Sequence, residues 1–442
     1  MSAREPQEHP PRATTLEPDL VTKGELISGE VYWKDHYEWL LNQGYRLRPR
    51  YEPNWKPSWA GTDLDPYLCE DSEINLSNVV NDATSLTNGK VVALKLTDVT
   101  AHLEEVEITR YLSKDALRSD PDNHSVPLIE VLEPPDDRNS RILVLPLLRP
   151  FDSPKFETKG EAIQFLDEFV TGVSFLHRHR IIHGDISINN VMMDASEMYP
   201  EGFHPVVKDN KLDWSGEVEP QGTRTEKPPK YYLLDFGLAR QYEEDQPHHV
   251  WGPGTDTSVP EFQTGNPHPI DSFAVDVYCV GNMIRTEFLD GDPQRPGRNG
   301  YYGFDFLRPL VTSMTQQDPS KRPKMEAVVT TFREVVKRVS SLTLRSPCTP
   351  IPDSGPRALH AIRAAASTRH WWIQIGYIYR KLPPIPAAHP KSTGKDQPAK
   401  TESSSERRDG GAEETKPSQR GDRKDSQEGD SSASPAPASG SR

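Results

Sequence analysis

The stretch IIHGDISINNVMM, residues 181–193, constrains this chain more than any other. Apolar runs flank a core that holds His183, Asp185 and Asn190. The segment before it, TKGEAIQFLDEFVTGVSFLHRH, opens with Thr158 and Glu161 at capping-box spacing. Its apolar residues Ala162, Phe165, Leu166, Phe169, Val173 and Leu176 follow the period of a helix with a buried face. The VMM that follows reads as a buried strand. A polar island tied to core at both ends is a rigidly held loop, and catalytic residues concentrate on such loops. A plain polar turn is the competing reading, because Asp, Ser and Asn all bond their own backbone. At roughly one in twenty per named position, His-x-Asp-x-x-x-x-Asn arises by chance in about one chain of this length in twenty. The island therefore needs partners elsewhere.

Candidates stand on both sides of it. KVVALKL, residues 90–96, is β-branched and follows the turn pair Asn88-Gly89, so Lys95 falls on the second strand of a hairpin. HLEEVEITRYLS reads as a helix carrying Glu104, Glu105 and Glu107, and RILVLPLL as another buried strand. Downstream, YYLLDFGLA runs a buried strand into Asp235-Phe236-Gly237. GTDTSVPEF contains Pro260-Glu261, DVYCVGNMI is a helix with Asp276 in its first turn, and DPSKRPKMEAVV places Arg322 before a helix-starting Pro323. Each has a bland reading. A strand lysine commonly faces solvent, an Asp before Gly is commonly a turn, and a surface Lys–Glu pair contributes under about 1 kcal/mol.

The remainder bounds the fold. Hydrophobic residues make up 34% of the 442 positions and proline is high at 42, as expected of a folded core diluted by disordered ends. Residues 1–24 and 391–442 are those ends. Residues 25–74 combine an amphipathic helix, in which Trp33, Tyr37, Leu40 and Leu41 recur and Gly44 closes, with a proline-broken aromatic strap, RLRPRYEPNWKPSW, expected to lie on a surface. Acidic residues outnumber basic ones by 66 to 52, which argues against a nucleic-acid partner. No segment reaches the 18 apolar residues of a membrane span. Three scattered cysteines and an N-terminus without an apolar run fit an intracellular, reducing setting, cytoplasmic or nuclear.

Taken in order, these pieces resemble the protein kinase signature set. VALK resembles the strand-lysine motif, HGDISINN the catalytic loop, DFG is intact, VPE resembles the end of the activation segment, DVYCVG the central helix of the larger lobe, and DPSKRP its last turn. Together with RPRY and PSW upstream, HGDISINN also resembles fungal-type kinase-like proteins. The resemblance implies an α+β, bilobal fold over residues 75–345, with a β-rich lobe at 75–148, a helical lobe at 149–345 and an extended surface loop inserted at 195–230. A C-terminal extension follows at 346–390. It implies ATP and Mg²⁺ as cofactors, a protein substrate and a monomer. In that frame Asp185 orients the phosphoacceptor hydroxyl, and Asn190 and Asp235 hold Mg²⁺. Lys95 reaches the phosphates while paired to a helix carboxylate. Glu107 is the choice for that carboxylate and Glu104 the alternative. Pro146 offers its carbonyl and Leu148 its N–H to adenine. His183, Asp276 and the pair Glu261–Arg322 are expected to be structural.

The departures are as informative. No G-x-G-x-x-G occurs; the expected place reads SNVVNDATSLTNG. Gly184 stands where an arginine usually precedes the catalytic Asp, and Ser187 where a lysine usually follows. Three classes follow: a protein phosphotransferase, favouring Ser/Thr over Tyr; a pseudokinase scaffold; and a small-molecule kinase, since HGD also occurs in antibiotic and choline kinase-like proteins. Retention of Lys95, Asp185, Asn190 and Asp235 favours the first. The aromatic segment HWWIQIGYIYRKL is expected to pack on the folded body rather than to leave RKLPPIP free as a proline-rich ligand.

Overall fold

A computed structural model describes residues 23–244, 254–263, 265–266, 268–354 and 367–387. The two expected disordered ends fall, except for residues 23 and 24, outside these residues. The architecture is α+β and two-lobed. A five-stranded antiparallel sheet forms the smaller lobe in the order β1 (Tyr45–Arg46), β2 (Val80–Ser85), β3 (Val91–Asp98), β5 (Ser140–Pro146), β4 (Glu130–Leu132). The Asn88-Gly89 turn joins β2 to β3 as its sequence requires, with Gly89 at φ +70°.

The sheet is packed on both faces, which explains the near-continuous apolar run in KVVALKL. Above it lie helices α1 (Ser28–Asp35) and α2 (Tyr37–Asn42). Their Trp33, Tyr37 and Leu40 form a core with Tyr45, Leu47, Ala83, Val92 and Leu94. Beneath it lie α3 (Glu105–Leu112), a short α4 (Asp115–Arg118) and the larger lobe. The strap after α2 runs along the surface, with Pro49, Glu52, Pro53 and Asn54 exposed, and is pinned there by buried residues. Arg50 and Tyr51 are fully buried, and Arg50 donates to Glu30 Oε1 at 2.5 Å and Oε2 at 2.8 Å. A buried guanidinium needs its donors matched, and Glu30 of α1 supplies that partner.

The larger lobe is built on α5 (Lys159–Arg178), whose N-cap Thr158 accepts from the Glu161 amide at 3.1 Å. Around it lie β6 (Arg149–Pro150), β7 (Ile181–Ile182), β8 (Val191–Asp194), β9 (Lys230–Leu233) and β10 (Arg240–Gln241). The helices α6 (Ser272–Ile284), α7 (Arg308–Met314), α8 (Met325–Lys337) and α9 (Ser341–Arg345) follow. Glu261 and Arg322 form the expected buried pair, at 2.7 and 2.6 Å. The segment between β8 and β9 is packed rather than extended. Met198, Tyr199, Phe203, His204 and Arg224 are buried in it, and Arg149 lies over the Tyr199 and Phe203 rings. Its polar composition had suggested a solvated loop, but five scattered anchors are enough to seat it.

In the C-terminal extension α10 (Thr368–Tyr379) docks by Tyr377, whose hydroxyl is 2.8 Å from Thr223 Oγ1, and by His370, 2.7 Å from the Arg345 carbonyl. Trp371 and Ile373 are half-buried, while other apolar side chains of the helix face outward: Trp372 is 73% and Tyr379 89% exposed. Pro386 of RKLPPIP is buried and Ile385 packs against the core, so these two residues face the body. Among the described residues, no helix is long and apolar enough to cross a membrane.

Candidate active site

Lys95 lies on β3 with its side chain under the sheet. Its ammonium donates to Glu105 Oε1 and, at 2.7 Å, to Asp235 Oδ1. Thr97 Oγ1 donates to the second Glu105 oxygen at 3.1 Å. Burial works against the charge on Lys95, but the two carboxylates outweigh it and hold its pKa above the ordinary lysine value. Burial likewise opposes ionisation of Asp235, and the Lys95 ammonium overrides it, keeping that carboxyl below its ordinary value. Asp235 sits in left-handed backbone, φ 61° and ψ 76°, and its Oδ1 accepts from the Gly237 amide at 3.2 Å. A non-glycine residue in that region is a strained position that the surroundings must enforce. Here the enforcers are Lys95, the Gly237 amide and His102, whose Nδ1 lies 3.0 Å from the Gly237 carbonyl.

The loop 183–190 is held from below. Asp276 of α6 accepts from the amides of His183 at 2.8 Å and Gly184 at 3.0 Å, and from His177 Nε2 at 3.0 Å. The His183 ring is buried with Nε2 2.9 Å from the Leu234 carbonyl, so it ties the loop to the chain just before Asp235. Asn190 Nδ2 donates to the Asp185 carbonyl at 2.8 Å and to Asp185 Oδ2 at 3.0 Å. That orientation commits the amide nitrogen and leaves the amide oxygen available as a ligand. The Thr255 amide donates to the other Asp185 oxygen at 2.6 Å.

The structure therefore brings Lys95 to Asp235, and Asp185 to Asn190. It does not bring Glu107 to Lys95. Glu107 is exposed and pairs with Arg110 at 2.6 Å, while Glu104 accepts from the Gln241 amide at 2.9 Å. The carboxylate at the lysine is Glu105. The inward face of α3 is Glu105, Ile108, Thr109 and Leu112, a helical stripe that Ile108 and Tyr111 had misplaced by part of a turn. An apolar Leu112 at helical spacing from Glu105 was the signal available in the sequence. Pro146 ends β5 opposite Val92, and Leu148 is buried two residues on.

Two departures acquire physical reasons. Gly184 has φ +77°, and a Cβ there would lie 2.5 Å from the Leu238 carbonyl oxygen, so no larger residue fits without moving backbone. The segment read as the place of the missing glycine loop is β2 itself with its turn. The connection between the first two strands is residues 47–79, which begins with the strap and continues through exposed residues such as Leu64 and Leu68. A two-residue β1 leaves no period to detect, which hid this topology.

The sequence matches the family model for fungal protein kinases over residues 71–258. It is 25% identical over 219 residues to the serine/threonine-protein kinase PLK4 of Xenopus tropicalis, covering 48% of this chain and 19% of that one. It is 23% identical over 270 residues to the PLK4 of Danio rerio, covering 56% of this chain and 25% of that one. The chain thus spans well under half the length of these relatives.

Proposed function

We propose that this chain, which belongs to the protein kinase superfamily, transfers the terminal phosphoryl group of ATP to protein hydroxyls, serine or threonine in preference to tyrosine. The observation that carries the reading is the convergence of Lys95, Glu105 and Asp235 beside a loop that presents Asp185 and Asn190. Phosphoryl transfer needs positioning and charge neutralisation more than covalent help. Lys95, kept charged by its two carboxylates, is suited to the nucleotide phosphates. Asn190 through its amide oxygen and Asp235 through its partly exposed carboxylate would hold Mg²⁺, a hard cation that prefers oxygen ligands. When bound, that ion neutralises charge on the phosphates. Asp185 orients the acceptor hydroxyl and takes its proton. The names of the PLK4 relatives support the Ser/Thr preference.

The test is ATP consumption with Mg²⁺ and a generic protein substrate. Asp185→Asn should lower turnover by at least about 100-fold while nucleotide binding stays close to wild type. Undiminished turnover in that variant would remove Asp185 from the mechanism.

A further inference from the structure

The face of the sheet that carries Lys95 has an unusual composition one step away from it. Ala93 lies two residues before Lys95 on β3 and shares its face. Its register partners are Asp82 on β2 and Leu145 on β5. Arg46 pairs with Thr84, so Arg48, two residues on, continues the row, and its Nε lies 3.3 Å from Asp82 Oδ1. The row under the sheet is thus Arg48, Asp82, Ala93, Leu145, adjacent to the row that contains Lys95. With nucleotide phosphates at Lys95, a nucleoside directed away from Asp235 would lie beneath this row. A purine buries best against apolar surface, yet half of the row is an ion pair.

That pair is sealed in. Arg48 is 9% and Asp82 4% exposed, and Arg48 Nη2 has no hydrogen-bond partner. The cover comes from both lobes. Arg48 Nη1 donates to Glu70 Oε1 at 3.2 Å, and the same oxygen lies 3.1 Å from Nε2 of His204, a residue of the segment between β8 and β9. Trp214 of that segment donates to the Leu68 carbonyl at 2.8 Å. The strap that stands between the first two strands and the insert of the larger lobe therefore meet across the side of the cleft.

We propose that Arg48 and Asp82 form a gate at the nucleoside end of the cleft, latched through Glu70 and His204, and that nucleotide is admitted when strap and insert separate. This rests on the kinase reading above and deepens it: the gate, in place of a glycine-rich loop, sets nucleotide affinity. It also gives the strap and the insert a shared role.

The test is Mg-ATP titration by thermal shift on the full chain. Arg48→Leu with Asp82→Val converts the row to an apolar ceiling, and replacing a buried ion pair as a unit is commonly tolerated. This double variant should bind Mg-ATP at least about tenfold more tightly than wild type, and Glu70→Gln should give a smaller gain in the same direction. Equal affinities in wild type and both variants would overturn the gate and leave the kinase reading intact. No binding by any of the three would sink the kinase reading and the gate with it. A measurement on wild type covers the case in which the double variant does not fold. Saturating Mg-ATP should increase amide exchange in residues 47–52 and 203–209. Protection of both segments instead would mean that they close over the nucleotide, contrary to the gate.

Discussion

Glu105 and Glu107 sit two residues apart on one helix and have opposite fates. Glu105 is buried against Lys95 and Thr97, whereas Glu107 is in solvent beside Arg110. Removing one partner of a buried charged pair leaves the other uncompensated, at about 3–5 kcal/mol. An exposed pair is worth no more than about 1 kcal/mol. Glu105→Gln is therefore expected to lower kcat/KM for ATP by at least about tenfold, and Glu107→Gln to change it less than twofold. Steady-state kinetics of the two variants decide the matter, and equal effects would contradict the assignment of Glu105. Gly184 makes a related point. The arginine missing from this loop has no room, because the Leu238 carbonyl occupies the space its Cβ would need. Activity should then be independent of phosphate on Thr255, Thr257 or Ser258, and inactivation by a phosphatase would show otherwise.

The helix α5 carries a titrating group that the proposed chemistry does not use. Glu168 accepts from the Tyr231 amide and from Gln164 Nε2, both at 2.9 Å. Burial pushes its carboxyl up to about 7, against the lowering effect of those donors. The unfolded value is near about 4.3. Between the two, the folded chain retains a proton that the unfolded chain has released, so stability is full below about 4.3 and declines as pH rises toward about 7. Glu168→Gln keeps the shape and removes the titration. Urea melts of wild type and variant should diverge across that window by up to about 3 kcal/mol in favour of the variant at the upper end. Parallel pH profiles would show that Glu168 is ionised in the fold. The same helix also secures the insert, since Glu161 Oε1 accepts from the Thr225 amide at 3.1 Å and its hydroxyl at 2.7 Å.

The C-terminal extension ties itself to the larger lobe at several points, among them the packing of Ile385 and the Arg380–Glu226 pair. Tyr377 meets Thr223, His370 meets the Arg345 carbonyl, and Arg345 donates to the Leu382 carbonyl at 2.5 Å. Each buried hydrogen bond is worth about 1 kcal/mol and a buried tyrosine somewhat more. A chain ending at Ser354 should therefore melt several degrees below the full protein. A chain ending at Ala387 should match it, because residues 391–442 contain no Leu, Ile, Val, Met, Phe, Tyr or Trp. Differential scanning calorimetry of the two truncations provides the check, and identical midpoints would mean that α10 contributes nothing to the fold.

What could be read directly from the residues was local. The helical period of α5, the Asn88-Gly89 turn and the chain order of Lys95, His183, Asp185, Asn190 and Asp235 are short-range features, and each follows from the chemistry of a few neighbouring positions. Asp276 as a structural residue came from the resemblance alone, since its bonds to the His183 and Gly184 amides join parts of the chain that are far apart in sequence. Four further matters depended on distant parts of the chain. The choice of Glu105 over Glu107 is a rotation of one helix against β3, decided by how Ile108 and Leu112 pack. The pinning of the strap depends on Glu30 meeting Arg50, and the seating of the insert on Arg149 and Glu161. The pairing of Arg48 with Asp82 follows from a strand of two residues whose register only its neighbour can set. Local pattern carries hydrophobic period and turn chemistry. It does not carry the partner of a buried charge, because that partner is chosen by geometry across the fold.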